Sequence, residues 1–185
     1  MTSLFELLTT LNPWWTGQEF ETGKPRLAYF SKIQRYLGTD EIMVLSGVRR
    51  SGKTTLLFQT IKYLIDSQHV PPRNILFVNC DEPEISSLEN PLSKVVDTYR
   101  KEIPAKGTLY LVFDEIQGIP GWERIIKSLY DRKKYKIIIS GSSSYLLDSQ
   151  LSTLLSGRFF TIPVFPLDFR EYLAFQGIEI PNDPV

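Results

Sequence analysis

The sequence predicts an α/β fold built on an open parallel β-sheet with helices on both faces. Short apolar runs alternate along the chain with longer segments in which apolar residues recur at helical spacing, and this alternation is typical of repeated strand–helix–strand units. The apolar runs are continuous, as expected for parallel strands that are buried on both faces. Ligands of such sheets bind beyond the carboxyl ends of the strands, so functional residues are expected there.

The individual elements follow from the same two patterns. Residues 12–26 mix proline, glycine and polar residues and are predicted to form an irregular lead-in. Strands are predicted over residues 42–46, 75–78, 109–113, 136–140 and 159–164. Helices are predicted over residues 27–37, 54–65, 91–99, 122–129, 145–155 and 167–175.

The composition is that of one ordinary globular domain. The chain has 185 residues, of which 42% are hydrophobic and 23% are charged, close to the averages for folded domains. Lysine and arginine together number 21, as do aspartate and glutamate, so no net charge attracts nucleic acid or an anionic membrane. Nucleic-acid contact through a local basic face is compatible with this total but is not favoured by it. The clearest basic run contains Arg132, Lys133, Lys134 and Lys136.

The chain is expected to act in the cytoplasm and not in a membrane. Its single cysteine, Cys80, has no partner for a disulfide within the chain, which is typical of proteins from reducing compartments. The N-terminus lacks the basic start and the apolar core of a signal peptide. No apolar run approaches the roughly 20 residues that a membrane-spanning helix needs.

One segment carries a phosphate-binding pattern. Residues Gly47–Thr54 match G-x-x-x-x-G-K-[ST] without departure and lie between a predicted strand and a predicted helix. Glycines let the backbone curl so that its amides point at phosphate oxygens, and the N-terminus of the following helix also attracts an anion. Lys53 would contact the β and γ phosphates, and the Thr54 hydroxyl would ligate Mg²⁺. The predicted nucleotide-binding residues are Gly47, Arg49, Arg50, Ser51, Gly52, Lys53, Thr54 and Thr55.

An acidic pair follows the third predicted strand. The apolar run over residues 109–113 ends in Asp114 and Glu115, which is the pattern of a Walker B segment. Asp114 is predicted to hold Mg²⁺ directly or through water, and Glu115 to orient and deprotonate the attacking water. Such a pair is common after strands, and the functional interpretation depends on the phosphate loop that precedes it in the chain.

Three further features give weaker predictions. Ser142 follows the fourth predicted strand and is the predicted sensor of the γ phosphate, although the serines at positions 142–144 could instead cap a helix. Arg158 could reach the γ phosphate of a neighbouring subunit as an arginine finger, or it could be a surface arginine that pairs with a carboxylate. Trp14 and Trp15 are expected in the core or in an interface, with a position beside the adenine as the alternative.

In their order, these motifs resemble those of archaeal and bacterial AAA-type ATPases that are often found with an uncharacterised C-terminal domain. The resemblance covers most of the chain, over GVRRSGKTTLL, LYLVFDEIQ, IIISGSSSYLL and LSGRFFTIPVFPLDFREYL. It implies a P-loop NTPase with a five-stranded parallel sheet of order 5-1-4-3-2 and helices on both faces. In that order the fourth strand lies between the strands that carry the phosphate loop and the acidic pair, where Ser142 would act as sensor 1.

The resemblance also implies ligands, partners and a division of the chain. ATP and Mg²⁺ are the expected ligands, and Arg158 stands where AAA proteins often place the finger that reaches another copy of a homo-oligomer. The expected divisions are a lead-in with a short helix over residues 1–38, the ATPase domain over residues 39–176, and a truncated C-terminal continuation over residues 177–185.

The predicted function is hydrolysis of ATP with Mg²⁺, which drives a conformational change in an attached or partner domain. Two alternatives remain open. A small-molecule kinase uses the same loop, but such kinases usually need an arginine-rich lid, and no arginine lies between Ser140 and Arg158. A non-hydrolysing nucleotide switch is the other alternative, and Glu115 argues against it because a switch needs no general base.

Overall fold

A single parallel β-sheet organises the chain. The computed structural model describes residues 3–142 and 157–178. The strands are β1 (Ile42–Ser46), β2 (Ile75–Asn79), β3 (Leu109–Asp114), β4 (Tyr135–Gly141) and β5 (Phe159–Pro163). Their spatial order is β2-β3-β4-β1-β5, and each neighbouring pair is parallel. This is the predicted order 5-1-4-3-2 read from the opposite edge, so the predicted fold is confirmed.

The described α-helices precede the first strand, connect the strands and follow the last one. They are α1 (Leu4–Leu11), α2 (Leu27–Leu37), α3 (Lys53–Asp66), α4 (Pro83–Ser86), α5 (Pro91–Glu102), α6 (Trp122–Asp131) and α7 (Phe169–Phe175). The helix predicted over residues 145–155 lies outside the described residues, and the sequence patterns did not predict α1. Within residues 3–142 and 157–178, no helix is long and apolar enough to cross a membrane.

The connections place helices on both faces of the sheet. The chain moves from β1 to β2 in one direction across the sheet, and it returns from β2 to β3 and β4 in the other. Because crossovers between parallel strands are right-handed, α3 covers one face, and α5 and α6 cover the other. The contacts agree with this division, since α3 packs on β3 and β4, whereas α5 contacts α1 and α6.

Two of the three interior strands, β1 and β4, are buried from end to end. Every residue of β1 and of β4 is buried, which explains the apolar runs over residues 42–45 and 137–139. Helices and neighbouring strands cover the sides of these strands, so their polar groups can meet a ligand only where the strands end. The carboxyl edge of the sheet, where β1 leads into the phosphate loop, is therefore the part of the fold that can hold a site.

The N-terminal lead-in covers the free edge of the sheet at β2. Asn12 is fully buried, and its side-chain amide donates to the Phe77 carbonyl over 2.9 Å and accepts from the Phe77 amide over 2.6 Å. These bonds satisfy backbone groups that an edge strand would otherwise leave unpaired. The indole N–H groups of Trp14 and Trp15 both donate to the Ile75 carbonyl, over 3.1 and 2.7 Å. The core position expected for both tryptophans is thus confirmed, at the start of β2 and away from the phosphate loop.

The basic run before β4 is divided between surface and core. Lys136 is only 6% exposed, and its ammonium donates to the carbonyls of Tyr36, Thr39 and Glu41. Burial disfavours the charged form and lowers the pKa of Lys136 to about 8. Lys136 therefore fixes the end of α2 to the sheet, and only residues 132–134 of this run are exposed.

Candidate nucleotide-binding site

The segment between β1 and α3 is a tight loop that depends on its glycines. Gly52 has a φ of 93° and Arg50 a φ of 65°, both in the left-handed region that favours glycine. A Cβ atom on Gly47 would lie 2.1 Å from the carbonyl oxygen of Val164, so no side chain fits at this position. The glycines therefore let the loop curl closely against the chain that follows β5.

Lys53 is the first residue of α3, and its amine lies across the loop. The residue is 3% exposed, and its Nζ donates to the carbonyls of Gly47 over 3.1 Å and Val48 over 3.2 Å. The same Nζ lies 3.3 Å from Oε1 of Glu115. This buried cation therefore stands between the phosphate loop and the acidic pair at the end of β3.

Thr54 and Asp114 meet at the same edge. The Thr54 hydroxyl donates to Oδ2 of Asp114 over 2.6 Å, and the Ser140 hydroxyl donates to Oδ1 of the same carboxylate. Burial raises the pKa of the Asp114 carboxyl, and the two hydrogen bonds act in the opposite direction. A hydroxyl and a carboxylate in contact are oxygen ligands of the kind that Mg²⁺ prefers, so these residues fit the predicted metal site.

Glu115 adopts an unusual backbone conformation beside this pair. Its φ and ψ are 49° and 48°, a left-handed conformation that costs a non-glycine residue about 1–3 kcal/mol. Its amide donates to the Ser140 hydroxyl over 3.2 Å, and the Gln117 side chain donates to Oε2 over 2.6 Å. Because Lys53 contacts the other oxygen, both oxygens of the carboxylate are held. Retained strain of this kind is typical of functional sites.

Ser140 belongs to the candidate site and was not predicted from the sequence. It is fully buried near the end of β4 and contacts both members of the acidic pair. A hydroxyl that directly follows the apolar run Ile137–Ile139 in a buried strand was the signal that could have found it. The sequence pattern instead pointed to Ser142, which follows β4, and its sensor role stays a prediction. The serines at positions 143 and 144 lie outside the described residues.

Arg158 lies at the opposite edge of the sheet from the phosphate loop. Its carbonyl accepts a hydrogen bond from the amide of Ile42, the first residue of β1, over 2.9 Å. Its guanidinium lies 3.0 Å from a carboxylate oxygen of Asp131, and both side chains are exposed. The surface ion pair named as the alternative is therefore present within the chain. A finger role toward another subunit stays a prediction.

The other loop residues differ in what they contact. Arg49 extends outward and pairs with Asp81 over 3.1 Å, and Thr55 is half-buried on α3. Ser51 is 2% exposed, and its hydroxyl has no hydrogen-bond partner within residues 3–142 and 157–178. The Ser51 carbonyl accepts a bond of 2.7 Å from the buried Arg26, a residue that no sequence motif singles out.

These contacts form the arrangement typical of P-loop NTPases. The phosphate loop leaves β1, the acidic pair ends β3, and β4 lies between them and brings Ser140 to both acidic residues. In proteins of this class the loop lysine, the loop hydroxyl and the Walker B carboxylate surround the phosphates of a nucleotide. The sheet order and the loop place the chain in this class by fold.

Comparison with known families identifies the family within the P-loop NTPases to which the chain belongs. A family model described as an AAA domain matches residues 39–173. The chain belongs to the AAA domain family, as its motifs implied. An uncharacterised protein of Haemophilus influenzae is 35% identical over 151 residues. Two uncharacterised proteins of Methanocaldococcus jannaschii are 32% and 33% identical over 149 and 150 residues.

These relatives are considerably longer than this chain. The matches cover 82%, 80% and 77% of this chain but only 38%, 32% and 30% of the relatives. The chain thus spans about a third of the length of the curated relatives it matches. What the relatives carry in their remaining length lies outside the region shared with this chain.

Solved structures share the fold. The Hsp104–ADP complex of S. cerevisiae aligns with a TM-score of 0.60 at 20% identity, covering 84% of this chain and 24% of that chain. A closed-state reconstruction of Hsp104 with ATPγS and FITC casein aligns with a TM-score of 0.63 at 19% identity, covering 92% and 31%. At such low identity the likeness concerns the fold alone.

Proposed function

We propose that this AAA domain binds ATP with Mg²⁺ and hydrolyses it, and that the cycle drives a conformational change in an attached or partner domain. The observation that carries the proposal is the contact of Lys53 with Glu115 and of Thr54 with Asp114. Burying charged groups together is costly for stability. Their concentration at the edge where parallel sheets bind ligands therefore favours a functional role.

The triphosphate would be bound by the loop and by Lys53. The loop supplies backbone amides, and the N-terminus of the 14-residue helix α3 adds a favourable electrostatic field. Two of the three groups that Lys53 contacts are the neutral carbonyls of Gly47 and Val48, which phosphate oxygens replace favourably. The chain belongs to the AAA domain family and resembles AAA-type ATPases, which supports ATP as the nucleotide.

Mg²⁺ would be held by the Thr54 hydroxyl and the Asp114 carboxylate. When bound, the ion supplies positive charge that neutralises the phosphate oxygens. Ser140 donates to Oδ1 of Asp114 and the Thr54 hydroxyl donates to Oδ2, so the ion would bind at Oδ2 and the Thr54 oxygen by replacing the hydrogen bond between them. The Ser140 bond also keeps the carboxylate from rotating, so the protein fixes one metal ligand before the ion arrives.

Glu115 is the proposed general base. Its carboxylate would take the proton from the water that attacks the γ phosphate, a contribution that is typically about 10²–10⁴-fold in rate. Gln117 and Lys53 contact its two oxygens over 2.6 and 3.3 Å, so the carboxylate cannot turn freely. The left-handed backbone of Glu115 further restricts the direction in which the side chain extends.

A homo-oligomer would bring a second copy to this site. In the part of the chain that the structure describes, the exposed Arg158 guanidinium pairs with the exposed carboxylate of Asp131 and lies 5.7 Å from the Tyr130 ring centroid. Exposed ion pairs are weak and readily exchanged. Arg158 is therefore free to leave Asp131 and, in a neighbouring copy, to stabilise the charge that develops on the transferred phosphate.

Phosphate release from ATP with Mg²⁺ tests the proposal. The wild-type protein should hydrolyse ATP, and Glu115→Gln should bind ATP comparably but turn it over about 10²–10⁴-fold more slowly. Glu102→Gln, the same substitution at the end of α5, is the matched control and should leave the rate unchanged. Normal turnover by Glu115→Gln would remove Glu115 as the base.

Two other outcomes would point to the alternatives. Binding without any hydrolysis by the wild-type protein would indicate a nucleotide switch. Phosphate transfer to an added small-molecule acceptor, in place of release to water, would indicate a kinase.

A further inference from the structure

Arg26 is a buried cation that the nucleotide site does not explain. It is 4% exposed and precedes α2, outside the phosphate loop. Its Nη1 donates to the Ser51 carbonyl over 2.7 Å and to the Phe165 carbonyl over 2.9 Å. Its Nε and Nη2 donate to the two carboxylate oxygens of Glu171 over 3.0 and 2.7 Å. One guanidinium thereby joins the phosphate loop, the segment after β5 and helix α7.

The segment that carries Arg26 is fixed to the helix that follows the phosphate loop. Gln59 on α3 accepts a bond from the Arg26 amide over 3.3 Å and donates to the carbonyls of Thr22 and Lys24 over 2.9 and 2.8 Å. The Tyr29 ring centroid lies 4.6 Å from the guanidinium carbon, a favourable cation–π contact. Because both its backbone and its side chain are held, Arg26 has little freedom to leave its partners.

The bond to Ser51 acts on the phosphate loop itself. The Ser51 carbonyl and the Gly52 N–H belong to one planar peptide unit, and the peptide bonds of the described chain are all trans. In a trans peptide the two groups point in opposite directions, so a guanidinium that fixes the carbonyl also fixes the N–H. A Cβ on Gly52 would lie 3.3 Å from Nη1 of Arg26. Arg26 therefore positions a backbone donor of the predicted phosphate-binding loop.

At the other end of the link, Glu171 serves α7 as well as Arg26. Its carboxylate accepts a bond from the Asp168 amide over 3.2 Å, and the Asp168 side chain accepts from the Glu171 amide over 2.7 Å. The hydrogen bond from Arg26 lowers the pKa of Glu171, so the carboxylate stays charged at neutral pH. Lys24 adds a second connection, since its amine donates to the Phe175 carbonyl at the end of α7. No residue of α7 is buried, so these polar contacts carry much of its attachment.

We propose that Arg26 and Glu171 form a link through which phosphate binding at the loop and docking of α7 stabilise each other. The proposal rests on the proposed function, because it takes the loop to bind nucleotide phosphates. Arg26 is a positioning residue, since it contacts the loop carbonyl and not the phosphate. When the ion pair between Arg26 and Glu171 is lost, Arg26 no longer holds the Ser51–Gly52 peptide in place. Part of the binding free energy is then spent on ordering this peptide, so the nucleotide binds more weakly. By thermodynamic reciprocity, a nucleotide that orders the loop also strengthens the docking of α7.

Titration with ADP and Mg²⁺ tests the first half of the link without turnover. The proteins to compare are the wild type, Arg26→Gln, Glu171→Gln and the double variant. Glu171→Gln keeps a side-chain oxygen for the helix cap and lies on α7, away from the loop. Each single variant should bind ADP about fivefold or more weakly, within the usual range of coupling between sites. The double variant should bind no more weakly than the weaker single variant, because both changes remove one link.

Hydrogen exchange of the amides of residues 169–175 tests the second half. ADP with Mg²⁺ should slow this exchange in the wild-type protein and have no such effect in Glu171→Gln. A merely structural role would lower the unfolding temperature of the variants and leave both readouts unchanged. Glu102→Gln is again the control and should match the wild type in both readouts.

The outcomes separate this inference from the proposed function. If the wild-type protein binds neither ADP nor ATP with Mg²⁺, the proposed function fails. If the wild-type protein binds ADP but ADP does not slow hydrogen exchange in α7, the link is overturned. The link is also overturned if Glu171→Gln is folded and binds ADP as tightly as the wild type. Should Arg26→Gln fail to fold, the wild-type exchange measurement and Glu171→Gln still decide.

Discussion

The substitution Gly47→Ala tests whether the phosphate loop is packed as tightly as its geometry indicates. A methyl group on Gly47 would lie 2.1 Å from the Val164 carbonyl oxygen and 2.8 Å from the Ser51 hydroxyl oxygen, whereas real Cβ contacts essentially never fall below 3.0 Å. The backbone around Val164 must therefore move by about 0.9 Å (3.0 minus 2.1). That movement strains the 2.7 Å bond from the Val164 amide to the Ser46 carbonyl. Overpacking typically lowers the free energy of unfolding by about 1–3 kcal/mol. A value near 3 kcal/mol is expected here, because the obstacle is backbone and cannot turn aside as a side chain could.

Thermal unfolding of the wild-type and variant proteins measures this effect. In a domain of this size each kcal/mol lowers the unfolding temperature by about 2–4 °C, so a loss of about 3 kcal/mol should lower it by about 6–12 °C. Gly38→Ala is the matched control, because Gly38 has an ordinary φ of −80° and its Cβ would lie 3.7 Å from the nearest atom. Gly38→Ala should unfold at the wild-type temperature or slightly above it. Unfolding of Gly47→Ala at the wild-type temperature would refute the tight packing of this loop.

Two further predictions concern Ser140 and Lys136. Ser140→Ala should bind ATP nearly as well as the wild type but hydrolyse it about 10–100-fold more slowly, because it removes hydrogen bonds of about 1–3 kcal/mol that orient both acidic residues. Single-turnover phosphate release measures this rate. An unchanged rate would make Ser140 purely structural. Burial lowers the pKa of Lys136 from 10.5 to about 8. Between pH 8 and pH 10.5 the unfolded chain therefore binds more protons than the folded one, so the free energy of unfolding should rise with pH in this window. Urea unfolding across this window should show a smaller rise for Lys136→Met than for the wild type, and equal slopes would contradict the lowered pKa.

The sheet could be predicted because its determinants are local. The apolar runs over residues 42–45 and 137–139 are continuous in sequence because β1 and β4 are buried on both faces. The order of the strands is not local, since an alternation of strands and helices is compatible with several orders. It followed from the resemblance to AAA-type ATPases, and the structure confirms it.

The side chains of the candidate site could be anticipated from the sequence only where one motif specifies several of them. Lys53 and Thr54 belong to such a motif, and the structure brings them to Asp114 and Glu115 as expected. Ser140 differs, because the choice between neighbouring serines depends on where β4 ends and which face each side chain meets. The pattern of short polar residues after a strand does not contain that information.

Long-range polar contacts were beyond sequence reasoning. Asn12 pairs with a residue 65 positions away, and Arg26 with one 145 positions away, and nothing in the local sequence specifies such partners. Helix α1 had a signal that was overlooked, since Ser3 and Glu6 form a capping box at its start.

Calorimetric titration of ATP with Mg²⁺ into the wild-type protein and Lys53→Ala tests nucleotide binding at the phosphate loop most directly. Removing the ammonium should cost about 1.5–3 kcal/mol, the usual range for hydrogen bonds to charged groups, or about 10–100-fold in affinity. Lys62→Ala, which removes a lysine that is 44% exposed on the same helix, should bind ATP like the wild type. We expect saturable binding by the wild type that is at least about tenfold weaker in Lys53→Ala. Equal affinities of the wild type and Lys53→Ala for ATP would contradict the assignment of this loop as the nucleotide site.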